Sequence, residues 1–311
     1  MNILIVTEYD NGGQMAALWK ALNKYTEHDA RLITFKQTYL NYETDLLDPT
    51  FDQVNELVEW AEFFVLGEML NPRMHTNIII ERLCPNNCII RAGGTIARNY
   101  PQLYMDGKFR GIMKTGAYHD PTIASRIFPM GNTVNMYDFS EWPVRVREVP
   151  EGIEPIRIVF SGTAQKHQAD HCAGFPKALD MLHEEYGDRI EFVNIQNTSW
   201  RECLKIKADC DICFDQFLIG TYANSAIEAM FYRQAAFCYI SGWSKSVFPE
   251  APLISVTNAQ EIFDEIILLI DNYPKRVAVG KIGNKYALQV HGAWNAVDRW
   301  SALIDFVVNE F

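Results

Sequence analysis

The chain has 311 residues, of which 48% are hydrophobic, enough for two packed α/β domains and too rich for a largely disordered chain. Its formal net charge of −11 disfavours a whole-molecule electrostatic grip on nucleic acid or anionic lipid. The seven cysteines are odd in number and lack framework spacing, which fits reduced thiols, and the longest apolar runs, such as IFDEIILLI, carry charges and are too short to span a bilayer.

The first run, NILIVT (2–7), is continuously apolar, as a strand buried on both faces must be. It has no basic segment before it and no cleavage site after it, so a cytoplasmic protein without a signal peptide is expected. The polar turn EYDNGG follows, then a helical pattern with Met15, Leu18, Trp19 and Leu22 on one face. ARLITF (30–35) reads as the second strand, 51–60 as a helix, FFVLG as the third strand, 77–83 as a helix, NCIIRAGG as the fourth strand and RGIMKTG (110–116) as the fifth. Strands alternating with helices predict a doubly wound parallel sheet, whose ligands sit beyond the carboxyl ends of the strands. That rule gathers residues 10–13, 67–68, 93–95 and 116–120 around one crevice.

Residues 128–155 lose periodicity and read as a domain edge and linker. The pattern then repeats. PIRIVFSG (155–162), RIEFVNI (189–195), DICFDQ (211–216), AAFCYI (235–240) and PLISV (252–256) are predicted strands. Helices are predicted over 175–186, with Ala178, Leu179, Leu182 and Tyr186 inward, and over 200–207, 223–232 and 259–272, the last opened by Asn258 as N-cap. Further helix runs to the C-terminus, with Trp294, Val297, Trp300 and Leu303 spaced for a buried face. The expected fold class is α/β: two Rossmann-like doubly wound parallel-sheet domains facing a cleft. The domains are placed at 1–150 and 151–311, with the last helix packing back on the first domain.

Two such domains suit dehydrogenases, binding proteins and glycosyltransferases alike, so the selection is local. The run ADCDICFDQFLIGTYANSAIEAMFYRQAAFCYI (208–240) resembles the donor-binding segment of GT-B glycosyltransferases, in particular the retaining family related to glycogen synthase and sucrose-phosphate synthase. Ala208 and Asp209 match the A-D pair that opens it. Residues 220–223 occupy the loop, Glu228, Ala229 and Met230 match E-A-M, and AFCYI supplies the following strand. The N-terminal strand with its Gly-Gly turn looks like the family's acceptor domain, and FPMGNTVNMYDF like the segment before its second domain.

The resemblance implies a nucleotide-sugar donor, most simply a UDP-sugar, on the second domain, with Glu228 on the ribose hydroxyls. The diphosphate would then lie at the helix start formed by Tyr222, Ala223, Asn224 and Ser225, where free N–H groups and the positive dipole end favour an anion. Gly12, Gly13 and Gly162 let the backbone approach the donor. In the loop after the first strand of the second domain, the family's basic role falls to Lys166, with His167 and His171 as helpers. His119 and Asp120 correspond to a functional loop of the first domain, and either serves as general base on the acceptor if the reaction inverts. Thr95 and Arg98 are placed on the acceptor. The family's acidic residue eight positions before Glu228 is Gly220 here, which leaves the donor sugar and the retention of configuration open.

The implied activity is transfer of a sugar from a nucleotide-sugar to an acceptor hydroxyl, with retention, closure of the domains over the reactants, no metal and no resident cofactor. Asp209-Cys210-Asp211 spells D-x-D but stands where the resemblance expects A-D, and Cys210-x-x-Cys213 and Cys84-x-x-x-Cys88 lack the four-ligand pairing of zinc sites. No G-x-G-x-x-G or P-loop signature occurs. The acceptor stays open among a small molecule, a glycan and a modified nucleic acid. The last is a DNA-modifying glycosyltransferase acting on a hydroxymethylated base, and its motive is the stretch from Arg73 to Lys114, where Arg82, Arg91, Arg98, Lys108 and Arg110 alternate with Tyr100, Tyr104 and Phe109. A sugar-nucleotide epimerase and a sugar-nucleotide-binding protein of the same fold are the remaining alternatives.

Overall fold

The structure is a computed structural model that describes residues 1–10, 12–93, 100–104, 109–114, 134–145, 155–161, 174–217 and 220–309. Two compact units emerge, one of Met1–Asp138 with His291–Phe311, the other Phe139–Val290. The expected break at 150 falls in a stretch outside the described residues.

In the first unit the strands are β1 (Asn2–Thr7), β2 (Asp29–Thr34), β3 (Leu46–Leu47), β4 (Phe63–Leu66), β5 (Cys88–Ala92) and β6 (Gly111–Lys114). They form one parallel sheet in the order β3-β2-β1-β4-β5-β6. The apolar runs read from the sequence are these strands, since a parallel strand covered on both faces has no polar side to show. Helices α1 (Gln14–Tyr25), α2 (Phe51–Trp60) and α3 (Met74–Arg82) connect them. Val54, Val58 and Ile79 cover one face through Leu4, Val6, Phe64, Leu66, Ile90 and Ile112. Helix α1 and the C-terminal helix lie together on the sheet's other side, where Val307 meets Gly111 and Ile89.

The second unit carries β7 (Ile156–Phe160), β8 (Ile190–Asn194), β9 (Ile212–Phe214), β10 (Ala235–Cys238) and β11 (Ile254–Ser255), parallel in the order β11-β10-β9-β7-β8. Strand β8 lies at the sheet's edge and leaves Glu191, Phe192 and Asn194 exposed, whereas β9 and β10 are buried throughout. The helices are α4 (Phe175–Tyr186), α5 (Trp200–Lys207), α6 (Asn224–Phe231), α7 (Gly242–Val247), α8 (Ala259–Ile270) and α9 (Tyr273–His291), and α10 (Ala293–Asn309) returns to the first unit. Asn258 caps α8 by accepting from the Glu261 N–H at 3.0 Å. Along α10, Val297, Trp300 and Leu303 are buried, but Trp294, the second residue of the helix, is 40% exposed. Among the described residues no helix is long and apolar enough to cross a membrane.

Candidate functional site

Each sheet has a point where the chain order reverses, and the strands on either side leave a crevice beyond their carboxyl ends. In the second unit it falls between β7 and β9. Ser161 follows β7, Asp215 follows β9, and the first turn of α6 stands over both.

That turn is a helix N-terminus placed at the strand ends. Its N-cap, Ala223, is extended (φ −118°, ψ −166°) and offers no side-chain cap, so the first turn stands with its N–H groups and the positive end of the helix dipole toward the switch point. The Ala223 N–H donates to the Asp215 carboxylate, which ties the loop to the strand end. Ser225 lies 3.0 Å from Ser161, Oγ to Oγ, and accepts from Lys207 Nζ at 3.2 Å. The Tyr222 hydroxyl lies 3.2 Å from that of Tyr286 on α9, and the Tyr222 ring packs edge-on against Phe248. Tyr222, Ala223, Asn224, Ser225 and Glu228 thus occupy one loop and helix at the switch point.

One turn further in, Glu228 is 4% exposed and its carboxylate is held from two sides. Trp200 Nε1 donates to Oε1 at 3.1 Å, and the fully buried Lys207 donates to Oε2. Burial pulls the Lys207 ammonium down, but the Glu228 charge outweighs it, and the net shift is upward, so Lys207 stays charged. Sequence reading missed Lys207 and Trp200. Both lie on α5, which packs beside α6, and no local motif marks them.

Gly220, where the resemblance expects an acidic residue, has φ +75°, and a β-carbon on it would stand 3.0 Å from Ser241 Cβ. The left-handed backbone strains any side chain there, and Ser241 would have to give by a few tenths of an ångström to admit one. Gly220→Ala is therefore expected to cost about 1–2 kcal/mol, read as a lower denaturant midpoint at unchanged slope. An unchanged midpoint would show that the loop relaxes freely.

In the first unit the switch point lies between β1 and β4. Gly12 and Gly13 are both left-handed (φ +82° and +68°), and a β-carbon on Gly13 would meet the Tyr42 ring at 2.6 Å, so Tyr42 occupies its open side. Buried Asp10 takes the N-terminal N–H groups of α1, accepting from Met15 at 3.0 Å and Ala16 at 2.8 Å. Burial raises its carboxyl pKa despite these bonds. Beside it stand two more carboxylates. Glu8 is buried and paired with Arg73 at 2.6 Å. Glu68 accepts from the Tyr9 N–H at 3.1 Å, and burial, with Glu8 adding to it, raises its pKa.

His119, Asp120, Gly162, Lys166, His167, His171, Thr95 and Arg98 lie outside the described residues. In the basic stretch Tyr104 and Phe109 belong to the core, Arg82 pairs with Glu59 and Arg73 with Glu8, while Tyr100 is exposed. Asp209 of the D-x-D sequence pairs with Arg157, and Asp211 is buried against the Arg157 N–H at 3.0 Å.

No protein-family profile matches the sequence, and no curated protein matches it either. Solved structures match in shape at low identity. An alpha-glucosyltransferase (AGT) in complex with UDP superposes with a TM-score of 0.67 at 10% identity, covering 98% of this chain and 99% of that one. The alpha-glucosyltransferase has also been solved with UDP and a 13-mer DNA containing a HMU base (TM-score 0.65, 11% identity, 98% and 99% covered). AviGT4, a glycosyltransferase involved in avilamycin A biosynthesis, gives a TM-score of 0.58 at 12% identity, covering 100% and 99%. The UDP-GlcNAc 2-epimerase from Neisseria meningitidis bound to UDP-GlcNAc gives 0.56 at 10%, covering 98% and 99%. With two Rossmann-like, doubly wound parallel α/β units in one polypeptide, the chain has the GT-B fold.

Proposed function

We propose that this protein is a nucleotide-sugar-dependent glycosyltransferase whose donor binds the second unit at the α6 switch point. The observation that carries the reading is the uncapped first turn of α6 over Ser161 and Asp215, with the Glu228 carboxylate one turn behind it. The diphosphate is taken by the N–H groups of Asn224 and Ser225 and the Ser225 hydroxyl, with Lys166 adding charge as the leaving group departs. A carboxylate offers roughly four lone-pair positions. Lys207 and Trp200 each fill one on Glu228, which leaves acceptors for the ribose hydroxyls. The sugar acceptor falls to the first unit, with His119, Asp120, Thr95 and Arg98 as its contacts. The UDP-bound neighbours of this fold favour a UDP-sugar, and the DNA-bound neighbour keeps a modified base among the acceptors. Retention without a metal follows from the sequence resemblance.

A second reading, epimerisation of the donor sugar, draws on the Glu8 and Glu68 pair. An ion-paired carboxylate beside one of raised pKa is an arrangement suited to proton transfer.

Thermal-shift titration with UDP-, GDP-, ADP- and CMP-sugars tests the donor site that both readings need, and product analysis without an acceptor separates them. One nucleotide family is expected to raise the melting temperature, by about 2.7 kcal/mol of stabilisation at a hundredfold excess over its Kd. Ser225→Ala and Lys166→Ala are expected to weaken that response. An epimer formed from the binding donor with no acceptor present would favour the second reading. No response to any donor at millimolar concentration would overturn both.

A further inference from the structure

At the opposite end of the second sheet, a cavity of about 180 Å3 is lined by Arg145, Arg233, Arg276, Lys281, Asp211 and Tyr273. Four cations and one carboxylate converge there in a chain whose net charge is −11. Asp211 precedes β9 and Arg233 precedes β10, so the cavity lies at the amino ends of the strands, away from Ser161 and Ser225.

The four cations differ in their commitments. Arg145 donates to the Tyr232 carbonyl and lies 3.6 Å from Asp211. Arg276 is buried, donates to the Leu269 carbonyl at the end of α8, and stacks 5.5 Å from the Tyr273 ring. Arg233 and Lys281 are exposed and have no carboxylate partner among the described residues.

Arg233 also holds an unusual backbone. Its φ is +58°, in the left-handed region. It is the residue just past the end of α6, where its N–H donates to the Met230 carbonyl at 3.1 Å and the Gln234 N–H to Ala229 at 2.9 Å. Glycine fills that position at no steric cost, whereas an arginine there is strained. A β-carbon on Gly280 would stand 2.1 Å from the Arg233 carbonyl oxygen, so α9 packs directly on this backbone and fixes it. The strain holds a guanidinium over the cavity.

We propose that this cavity is an anion site, separate from the nucleotide-sugar site, that takes a phosphate group between Arg233, Lys281, Arg145 and Arg276. Guanidinium forks match the paired oxygens of a phosphate, and the ammonium adds a point charge. The volume is below the roughly 300–1,000 Å3 of pockets for drug-sized ligands and well above the ~10–15 Å3 that admits one water. The occupant is therefore inorganic phosphate or the end of a small phosphomonoester.

The test uses the full chain, with inorganic phosphate and glycerol phosphate as probes and chloride at matched ionic strength as control. Phosphate is expected to raise the melting temperature where chloride does not. Arg233→Gly with Lys281→Ala is expected to weaken that response about tenfold or more. Both substitutions suit their backbones, glycine in the left-handed position and alanine in a helix, so the variant folds. Ser225→Ala is expected to keep the response. A response to both probes assigns the ester end as ligand, and one to phosphate alone assigns the free ion. The proposal is overturned by no response in the wild type, by an undiminished response in the double variant, or by a response lost only in Ser225→Ala.

Discussion

Lys207→Met is expected to lower stability by about 3–5 kcal/mol, the range for stranding a buried charge. Lys207 is fully buried and Glu228 is 4% exposed, so removing the ammonium leaves a carboxylate with no counter-charge beside it. The surroundings cannot absorb that charge. The Cys213 thiol and the Tyr232 phenol, both pushed up by burial, stay neutral and supply no positive charge in its place. Trp200 Nε1 remains as a donor at 3.1 Å, which is one hydrogen bond where there had been a charge pair. Lys207→Met combined with Glu228→Gln is expected to recover most of the loss, because a neutral amide beside a thioether no longer needs the pairing. Urea midpoints for the two single variants and the double variant complete the cycle. A Lys207→Met midpoint close to wild type would show that the two groups are not buried against each other. The cycle also bears on the proposed function. A donor response lost in Glu228→Gln alone confounds unfolding with binding. The same loss in the refolded double variant is a statement about the ribose contact.

The strands were legible because parallel pairing buries both faces, and NILIVT and FFVLG show this as unbroken apolar runs. Helices with local start signals were equally plain. Phe51–Trp60 has its reciprocal Thr50 and Gln53 cap, and α8 has Asn258. Helix α3 begins at Met74, earlier than the apolar spacing from 77 suggests, because the Thr76 hydroxyl accepts from the N–H of Arg73 at 3.0 Å, and Arg73 is a residue type that gives no N-cap signal. The short α7 carries too little apolar pattern to announce itself. The candidate site divides along the same line. Residues 222–228 could be read together because the helix start and E-A-M are contiguous. Asp10, which caps α1 from outside the N-cap position, and Lys207, one lysine of a polar helix, acquire their roles only when separate elements meet. Gly220 reads in the sequence as a missing acid. The backbone shows instead a position where only glycine fits without strain.

Acid is expected to weaken the first unit through one histidine. His291 is 1% exposed, and its Nδ1 lies 2.7 Å from the Asn135 carbonyl oxygen, so the neutral ring donates from Nδ1. Burial pushes its pKa down to about 4; the Asn135 hydrogen bond opposes the shift, and Arg299 adds to it. The unfolded chain takes its proton near pH 6.5. Above that value both states are neutral at this residue and it contributes no pH dependence. As pH falls from about 6.5 toward 4 the unfolded chain binds a proton that the folded one refuses, so stability declines. The decline amounts to about 1.4 kcal/mol by pH 5.5 and about 3 kcal/mol once pH passes below the folded value. His291→Asn keeps a donor in the Nδ1 position and removes the titration. The expected result is a wild-type urea midpoint that falls more than the variant's between pH 7.5 and pH 5.5, with similar midpoints at the higher pH once the smaller side chain's packing loss is subtracted. Equal falls in the two proteins would place the acid sensitivity elsewhere, with Asp10 and Glu68 opposing it: their raised folded pKa values contribute stability at low pH that is lost as pH rises through them.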